Sequence, residues 1–243
     1  MENRKGALIT GGSRGIGAAT SLLLARSGYD ICFTYFSDEG SAKLVKEEAA
    51  SLGARVVTAN VDVGSPSEIA ALFSNFDDAF SRLDALVNSA AISASSLSVS
   101  KMTSDALNRI FSVNAIGTIL CCREAIVRMK AGSAIVNLSS QAAKFGGNRM
   151  SHYAATKGAV DSFTIGFARE AAEKQVRVNA VSPAVIDTDA HKNSSEDRLS
   201  ALKRSIPLGR FGSSSEVAQT IAWLLSDKAS YISGSIVPVT GAR

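Results

Sequence analysis

The sequence predicts an α/β fold, a single domain over 1–243 built on one doubly wound parallel sheet of about seven strands with helices on both faces. Three observations carry that expectation. Short apolar runs of strand type alternate with segments of helical periodicity along the chain. A glycine-rich turn joins the first such run to the first helix. The residues with chemical character follow the strands, on the side where open parallel sheets bind ligands.

Ala7-Leu8-Ile9 reads as the first strand, beginning at Gly6 or Ala7, which leaves no room for a signal peptide. It runs into Thr10-Gly11-Gly12-Ser13-Arg14-Gly15-Ile16-Gly17, and a helical pattern (Ile16, Thr20, Leu23, Leu24) then stops at Gly28, a natural C-cap. Strand, glycine turn, helix is the Rossmann-type context in which such a motif binds a dinucleotide. Gly11 permits the turn. Gly15 and Gly17 let backbone approach a pyrophosphate and let the helix pack close, while the helix N-terminus faces the anion.

Asp30–Tyr35 reads as the second strand. An acid at its end would bind the adenosine ribose and select NAD, but Tyr35-Phe36-Ser37 stand there, with no acid before Asp38. Arg14 in the turn suits a 2′-phosphate instead. NADP(H) is therefore favoured, with NAD(H) the alternative should Asp38 swing in. Ser13, Arg14, Ile16 and Ser37 join the glycines as candidate cofactor contacts.

A helix follows over 39–52, ending at Gly53, then a third strand over 55–60 that delivers Asp62-Val63 to the ligand edge, where an adenine would lie. Ser65-Pro66-Ser67-Glu68 reads as a capping box with Pro at N1, opening a helix to about Arg82. The fourth strand, 83–87, runs into Asn88-Ser89-Ala90-Ala91, small residues suited to a flat ligand. A serine-rich surface loop covers 92–103. One long helix is expected over 104–129, carrying Asn114 in its interior, where Asn is mildly unfavourable unless it is buried and bonds backbone. Ala134–Leu138, the fifth strand, delivers Ser139-Ser140. After a Gly146-Gly147 loop comes a helix over 151–175. The sixth strand, 176–181, ends in Ser182-Pro183-Ala184-Val185-Ile186-Asp187-Thr188. Residues 189–212, with His191, Lys192 and Arg198, read as a mobile substrate lid with a short helix near 197–203. A second capping box, Ser213-Ser214-Ser215-Glu216, opens a helix to Ser226, and 236–239 is the last strand.

Within the 151–175 helix, Tyr153 and Lys157 are four apart and share a face. A cation held beside a phenol favours the phenolate and lowers its pKa, giving a general acid/base for an alcohol or carbonyl oxygen near neutral pH. The same pair on a solvated edge would do nothing. The glycine turn, Asp62, Asn88, Ser140 and the 183–188 segment all converge on the same sheet edge, which gives the pair a nucleotide and a serine hydroxyl as neighbours.

Composition excludes other classes. Net charge is +4, with the charges scattered and no basic-aromatic interleaving, so no nucleic-acid surface is expected. Three cysteines, an odd number with no CxxC and no His at metal spacing, fit a reducing cytoplasm and no metal site. No uninterrupted apolar run approaches 18 residues, so no membrane span is expected.

The motifs together resemble the short-chain dehydrogenase/reductase family over essentially the whole chain: Thr10-Gly11-x3-Gly15-x-Gly17, Asn88-x-Ala90, Asn114, Ser140 thirteen residues before Tyr153, Tyr153-x3-Lys157, and Pro183-x4-Thr188. The resemblance implies a hydride transfer between a nicotinamide cofactor and a carbonyl or alcohol. In it, Tyr153 exchanges the proton, Lys157 lowers the Tyr pKa and holds the ribose, Ser140 bonds the substrate oxygen, Asn114 holds a relay water, and Ile186 and Thr188 fix the carboxamide. It also implies a homotetramer, formed through helices 104–129 and 151–175 and the last strand. 3-Oxoacyl-carrier-protein reductases and glucose-dehydrogenase-like members are the nearest in pattern, and Lys130 and Lys174 would receive an acidic carrier. A nucleotide-binding scaffold without turnover and an NAD-dependent sugar or polyol dehydrogenase are the competing readings. Ala91, Ala184 and Ala242 stand where the family usually has glycine, so each is expected to crowd the cofactor or restrict φ.

Overall fold

A computed structural model describes residues 4–93, 96–188 and 195–243. Seven parallel strands form the main sheet: β1 (Lys5–Thr10), β2 (Tyr29–Tyr35), β3 (Val56–Asn60), β4 (Ala85–Asn88), β5 (Ala134–Leu138), β6 (Arg177–Pro183) and, named here by its later place in the chain, β9 (Ile236–Val239). Their spatial order is β3-β2-β1-β4-β5-β6-β9. The chain steps outward from β1 to β3, then returns to the other edge of β1 with β4, pairing Ala7 with Ala85 and Thr10 with Asn88. That reversal opens a crevice at the carboxyl ends of β1 and β4.

The strands are apolar on both sides because both faces are covered. Ile9, Phe33, Val87, Val136 and Val181 point to one face, where they pack on α1 (Gly15–Arg26), α2 (Glu39–Ser51) and α9 (Ser214–Leu225). Leu8, Cys32, Leu86, Ile135 and Val178 point to the other, against α3 (Pro66–Ala79), α5 (Gly117–Arg128) and α7 (Ser151–Ala171). Cys32, Cys121 and Cys122 are buried free thiols in this second layer. Burial pushes Cys32 and Cys121 up to about 12.

Two local readings need correction. The helix expected over 104–129 is α4 (Ser104–Phe111), a π turn (Ser112–Ile116) and α5. The extra residue of the π turn centres on Asn114, whose fully buried amide bonds main chain outside the helix. The same helical stretch is apolar enough to qualify a reading of composition, though charges interrupt it as the sequence reading expected. Over 104–128 an 18-residue window has a mean hydropathy of 1.6, enough to cross a membrane by length, but half of that window is buried inside the protein. The stretch reads as apolar because it packs on the sheet. Finally, Ser65 caps α3 by accepting from the Glu68 amide at 3.4 Å, but the Glu68 carboxylate accepts from the Asp62 amide at 2.8 Å, so the box is half formed. The Ser213–Glu216 box is complete.

Three elements had no signal in the sequence reading: the one-turn α6 (Ala142–Phe145), and β7 (Ile186–Asp187) paired in parallel with β8 (Gly212–Ser213). The lid expectation falls partly outside the described residues, with His191 and Lys192 among 189–194. The described part contains α8 (Glu196–Arg204), none of whose residues is buried.

Candidate active site

Two cavities lie along the carboxyl edge. The larger, about 630 Å3, is lined by Gly11, Ser13, Arg14, Gly15, Ile16, Asp62, Val63, Ala90 and Thr188 among others. The smaller, about 230 Å3, is lined by Ser140, Tyr153, Lys157, Pro183, Ile186 and again Ile16 and Thr188. Ser89 and Ala91 also belong to both walls, so the two are one trench running from the glycine turn to the Tyr/Lys pair.

The glycine-turn end is shaped by close contacts that exclude side chains. Gly11 has φ +65°, and a Cβ there would stand 2.8 Å from Ala90 Cα. A Cβ on Gly17 would stand 2.1 Å from the Gly11 carbonyl oxygen, so the helix can approach the strand only as glycine. Thr10 Oγ1 accepts from the Ser89 and Ala90 amides, both at 3.1 Å, and Thr34 Oγ1 accepts from the Gly11 amide at 3.0 Å. These two threonines rivet the β4 exit and the turn to β1 and β2. Sequence reading gave neither that role, though both are β-branched hydroxyls at strand ends, where such bonds form. A flat, amide-lined cradle at the N-terminus of α1, with Arg14 on its rim, fits a dinucleotide pyrophosphate.

Four of the expected residues do not line the trench. Gly17 acts through packing alone. Ser37 is exposed, and Phe36 takes the wall position, with the Arg109 guanidinium 5.7 Å from its ring centroid. Asn88 is 3% exposed and points into the core, donating to Asn137 Oδ1 at 2.9 Å. Asn137 donates onward to Thr164 Oγ1, so this chain ties β4, β5 and α7 together. Asn114 Oδ1 accepts from the Ile92 amide at 2.9 Å and its Nδ2 donates to the Ile92 carbonyl at 3.0 Å. Both hold the loop after β4 to the π turn.

Asp62 lines the trench but is engaged. Arg109 Nη1 donates to Oδ2 at 2.7 Å and the Gly64 amide to Oδ1 at 2.8 Å. Burial raises the Asp62 pKa, yet the Arg109 hydrogen bond and the Gly64 amide outweigh it and hold the carboxyl below its ordinary value. Arg109 was not read from the sequence, where a helical Arg is indistinguishable from a solvated one.

At the Tyr/Lys end of the trench Lys157 is 3% exposed and donates to the Leu138 carbonyl at 2.7 Å. Its Nζ lies 5.8 Å from the Tyr153 ring centroid. Burial lowers the Lys157 pKa to about 8, with Asp161 opposing. The expected drop in the Tyr153 pKa is corrected here. Burial raises it above the ordinary value, the Ser140 hydroxyl pulls it back, and Lys157 has no share in the shift. The ammonium gives one of its three donors to Leu138 and flanks the ring, so the protein alone keeps the phenol protonated at neutral pH.

Lys157 titration leaves a trace in stability. Its folded value, about 8, lies below the unfolded 10.5. Below the folded value lysine is charged in both states and the burial cost is fully present. Between the two the unfolded chain binds more protons, so stability rises with pH. Relative to Lys157→Met, the wild type is expected to gain about 3 kcal/mol across that window in denaturant unfolding. A pH-independent difference between the two would show a solvated amine.

Ala91 and Ala184 line the smaller cavity, and both have negative φ, so the feared backbone restriction does not arise. Ala242 does take φ +70°, the left-handed region that favours glycine.

The comparisons with known proteins come down on the same side. Residues 11–241 match the family model described as Enoyl-(Acyl carrier protein) reductase. The chain is 41% identical to the uncharacterized oxidoreductase YgfF of Escherichia coli, covering 98% of this chain and 99% of that one. It is 35% identical to 3-oxoacyl-[acyl-carrier-protein] reductase FabG of Staphylococcus aureus over 99% and 98%. A short-chain dehydrogenase of Burkholderia cenocepacia, solved in complex with NADP, superposes with a TM-score of 0.93 at 30% identity over 98% and 97%. The chain therefore belongs to the short-chain dehydrogenase/reductase family and is an NAD(P)-dependent oxidoreductase acting on CH–OH and C=O groups.

Proposed function

We propose that the protein is a single-domain, NADP(H)-dependent carbonyl reductase in which Tyr153 is the proton donor. The observation that carries this is the half-buried Tyr153 in the same trench wall as Ser140 and Lys157, continuous with the glycine cradle. The dinucleotide supplies the hydride. A protonated phenol is the form needed to give a proton to a carbonyl oxygen. Ser140 Oγ already accepts from the Ala142 amide at 3.2 Å, which orients the hydroxyl to donate to the same oxygen as charge builds on it. Lys157, fixed on Leu138, presents its remaining donors to a ribose. The relay water assigned to Asn114 would fall to its main-chain carbonyl, since both ends of the side chain are spent on Ile92.

Asp38 supports NADP(H) over NAD(H). Its carboxylate caps α2, accepting from Ser41 N at 2.9 Å and Ser41 Oγ at 2.7 Å. A carboxylate so committed is poorly placed to accept from ribose hydroxyls, and Arg14 Nη1 lies 3.7 Å from it on the trench rim. Arg14→Ala is expected to raise KM for NADPH by about 10- to 100-fold and leave KM for NADH within about 3-fold. Equal loss with both cofactors would remove the 2′-phosphate from the reading.

A 3-oxoacyl thioester is the substrate class that the FabG likeness supports. The case for an acidic carrier protein is weaker, because Lys174 donates to the Ile126 carbonyl at 3.0 Å and so is partly occupied, leaving Lys130 to carry it. Exposed Ile116, Ile119, Val127 and Ile165 on the π turn, α5 and α7 support a homotetramer through these helices. The buried free thiols accord with a reducing cytoplasm. NADPH oxidation across acyl thioesters, diketones, quinones and sugars tests the activity. No turnover on any of them would favour a scaffold on the same fold.

A further inference from the structure

Beside Tyr153 three polar groups converge: the buried Lys157 and Ser139, which line the smaller cavity, and the half-buried Asp161, which does not. Asp161 follows Lys157 by four residues, so both lie on one face of α7 with Tyr153. Asp161 Oδ1 is buried without a hydrogen-bond partner, and so is Ser139 Oγ at the end of β5. The Ser139 hydroxyl is close enough to favour the Asp161 carboxylate without meeting hydrogen-bond geometry. Leu138, the residue before Ser139, supplies the carbonyl that holds Lys157. A buried ammonium needs a counter-charge, because burial alone drives it neutral.

We propose that Asp161, backed by Ser139, is a positioning residue whose carboxylate keeps Lys157 cationic beneath Tyr153. Among the described residues no other charge acts on Lys157. On α7 itself Tyr153 is neutral. From the elements packed on α7, Arg109 of α4 is bound to Asp62, and Arg123, Glu124 and Arg128 of α5 are paired with one another and with Asp77. Lys144 of α6 lies over the Phe145 ring, and Arg177 of β6 donates to the Leu224 and Ser226 carbonyls. Asp161 is the one charged group acting on Lys157, and Lys157 the one acting on Asp161, among the described residues.

The position matters because in the proposed reaction Lys157 offers its donors to the ribose as an ammonium, and burial brings its pKa down to about 8. The alkaline limit of activity would then be set by Asp161, not by the phenol. Asp161 touches neither trench wall, so its loss should leave dinucleotide binding at pH 6.5 unchanged.

The test is Asp161→Asn, with Asp161→Glu as the conservative partner. In Asp161→Asn the alkaline limb of kcat for carbonyl reduction is expected to move about one pH unit lower, with kcat at pH 6.5 within about 2-fold of wild type. Asp161→Glu should restore most of the limb. The second readout needs no turnover: in cofactor-free protein, the pH window over which denaturant stability rises through Lys157 deprotonation should shift down by the same interval. The inference rests on the reductase reading only for the first readout. If no carbonyl is reduced, the unfolding window still decides the role of Asp161. Superposable wild-type and Asp161→Asn unfolding profiles would overturn it, as would a uniform loss of kcat at every pH.

Discussion

Tyr153→Phe is expected to cut carbonyl reduction by about 10²- to 10⁴-fold while leaving the NADPH dissociation constant near wild type. The substitution removes one hydroxyl from a side chain in the trench wall and leaves the ring, α7 and the glycine cradle as they are. Its effect falls on kcat because the proton moves only as the carbonyl oxygen gains charge. Steady-state NADPH oxidation gives the first quantity and cofactor fluorescence titration the second. Retained turnover in the Phe variant would move the proton donor elsewhere, since Ser140 is too weak an acid to replace a phenol.

Gly17→Ala is the second large effect, and it comes from packing alone. The added methyl would sit 2.1 Å from the Gly11 carbonyl oxygen, a backbone atom that cannot rotate aside. Either α1 lifts from β1 or the turn opens. A loss of about 3 kcal/mol in stability is expected, with dinucleotide affinity falling at least about 10-fold because the amides of the turn no longer converge. Gly158→Ala on α7 is the internal control. Its methyl would meet nothing within 4 Å, and helix propensity then favours it by about 0.5–1 kcal/mol. If the two variants lost similar stability, glycine flexibility and not close approach would be the reason for Gly17.

The contrast between these glycines marks what could be read from the chain. Gly11, Gly15 and Gly17 were legible because strand, turn and helix follow one another locally. The doubly wound parallel sheet followed from the alternation of strands and helices, while its strand order came from the structure. Ala134–Leu138 and Ile236–Val239 have the same bounds in sequence and structure. Asn88 and Asn114 were legible as special but not as to purpose. A buried amide looks the same whether it faces a ligand, the Asn137 side chain or the Ile92 backbone. The π turn lacks a sequence mark of its own, since the partners beside it, Ile92 for Asn114 and the Val63 carbonyl for Gly117, lie far off in the chain. Thr10, Thr34, Arg109 and Asp161 stayed hidden for a related reason: each acts on a partner brought near only by the sheet or the helix packing. The Tyr153 pKa was misjudged because spacing shows that an amine is near a phenol, not which atom it faces.

The order of strands also bears on how the protein is made. The apolar strand at residues 5–10 lies inside the finished sheet, yet its second neighbour is translated only after two further strands and three helices have left the ribosome. For that interval its open edge is a template for any extended segment nearby. A nascent chain halted before residue 85 would carry a half-sheet with the future ligand crevice bare, which makes it a natural client for a holding chaperone.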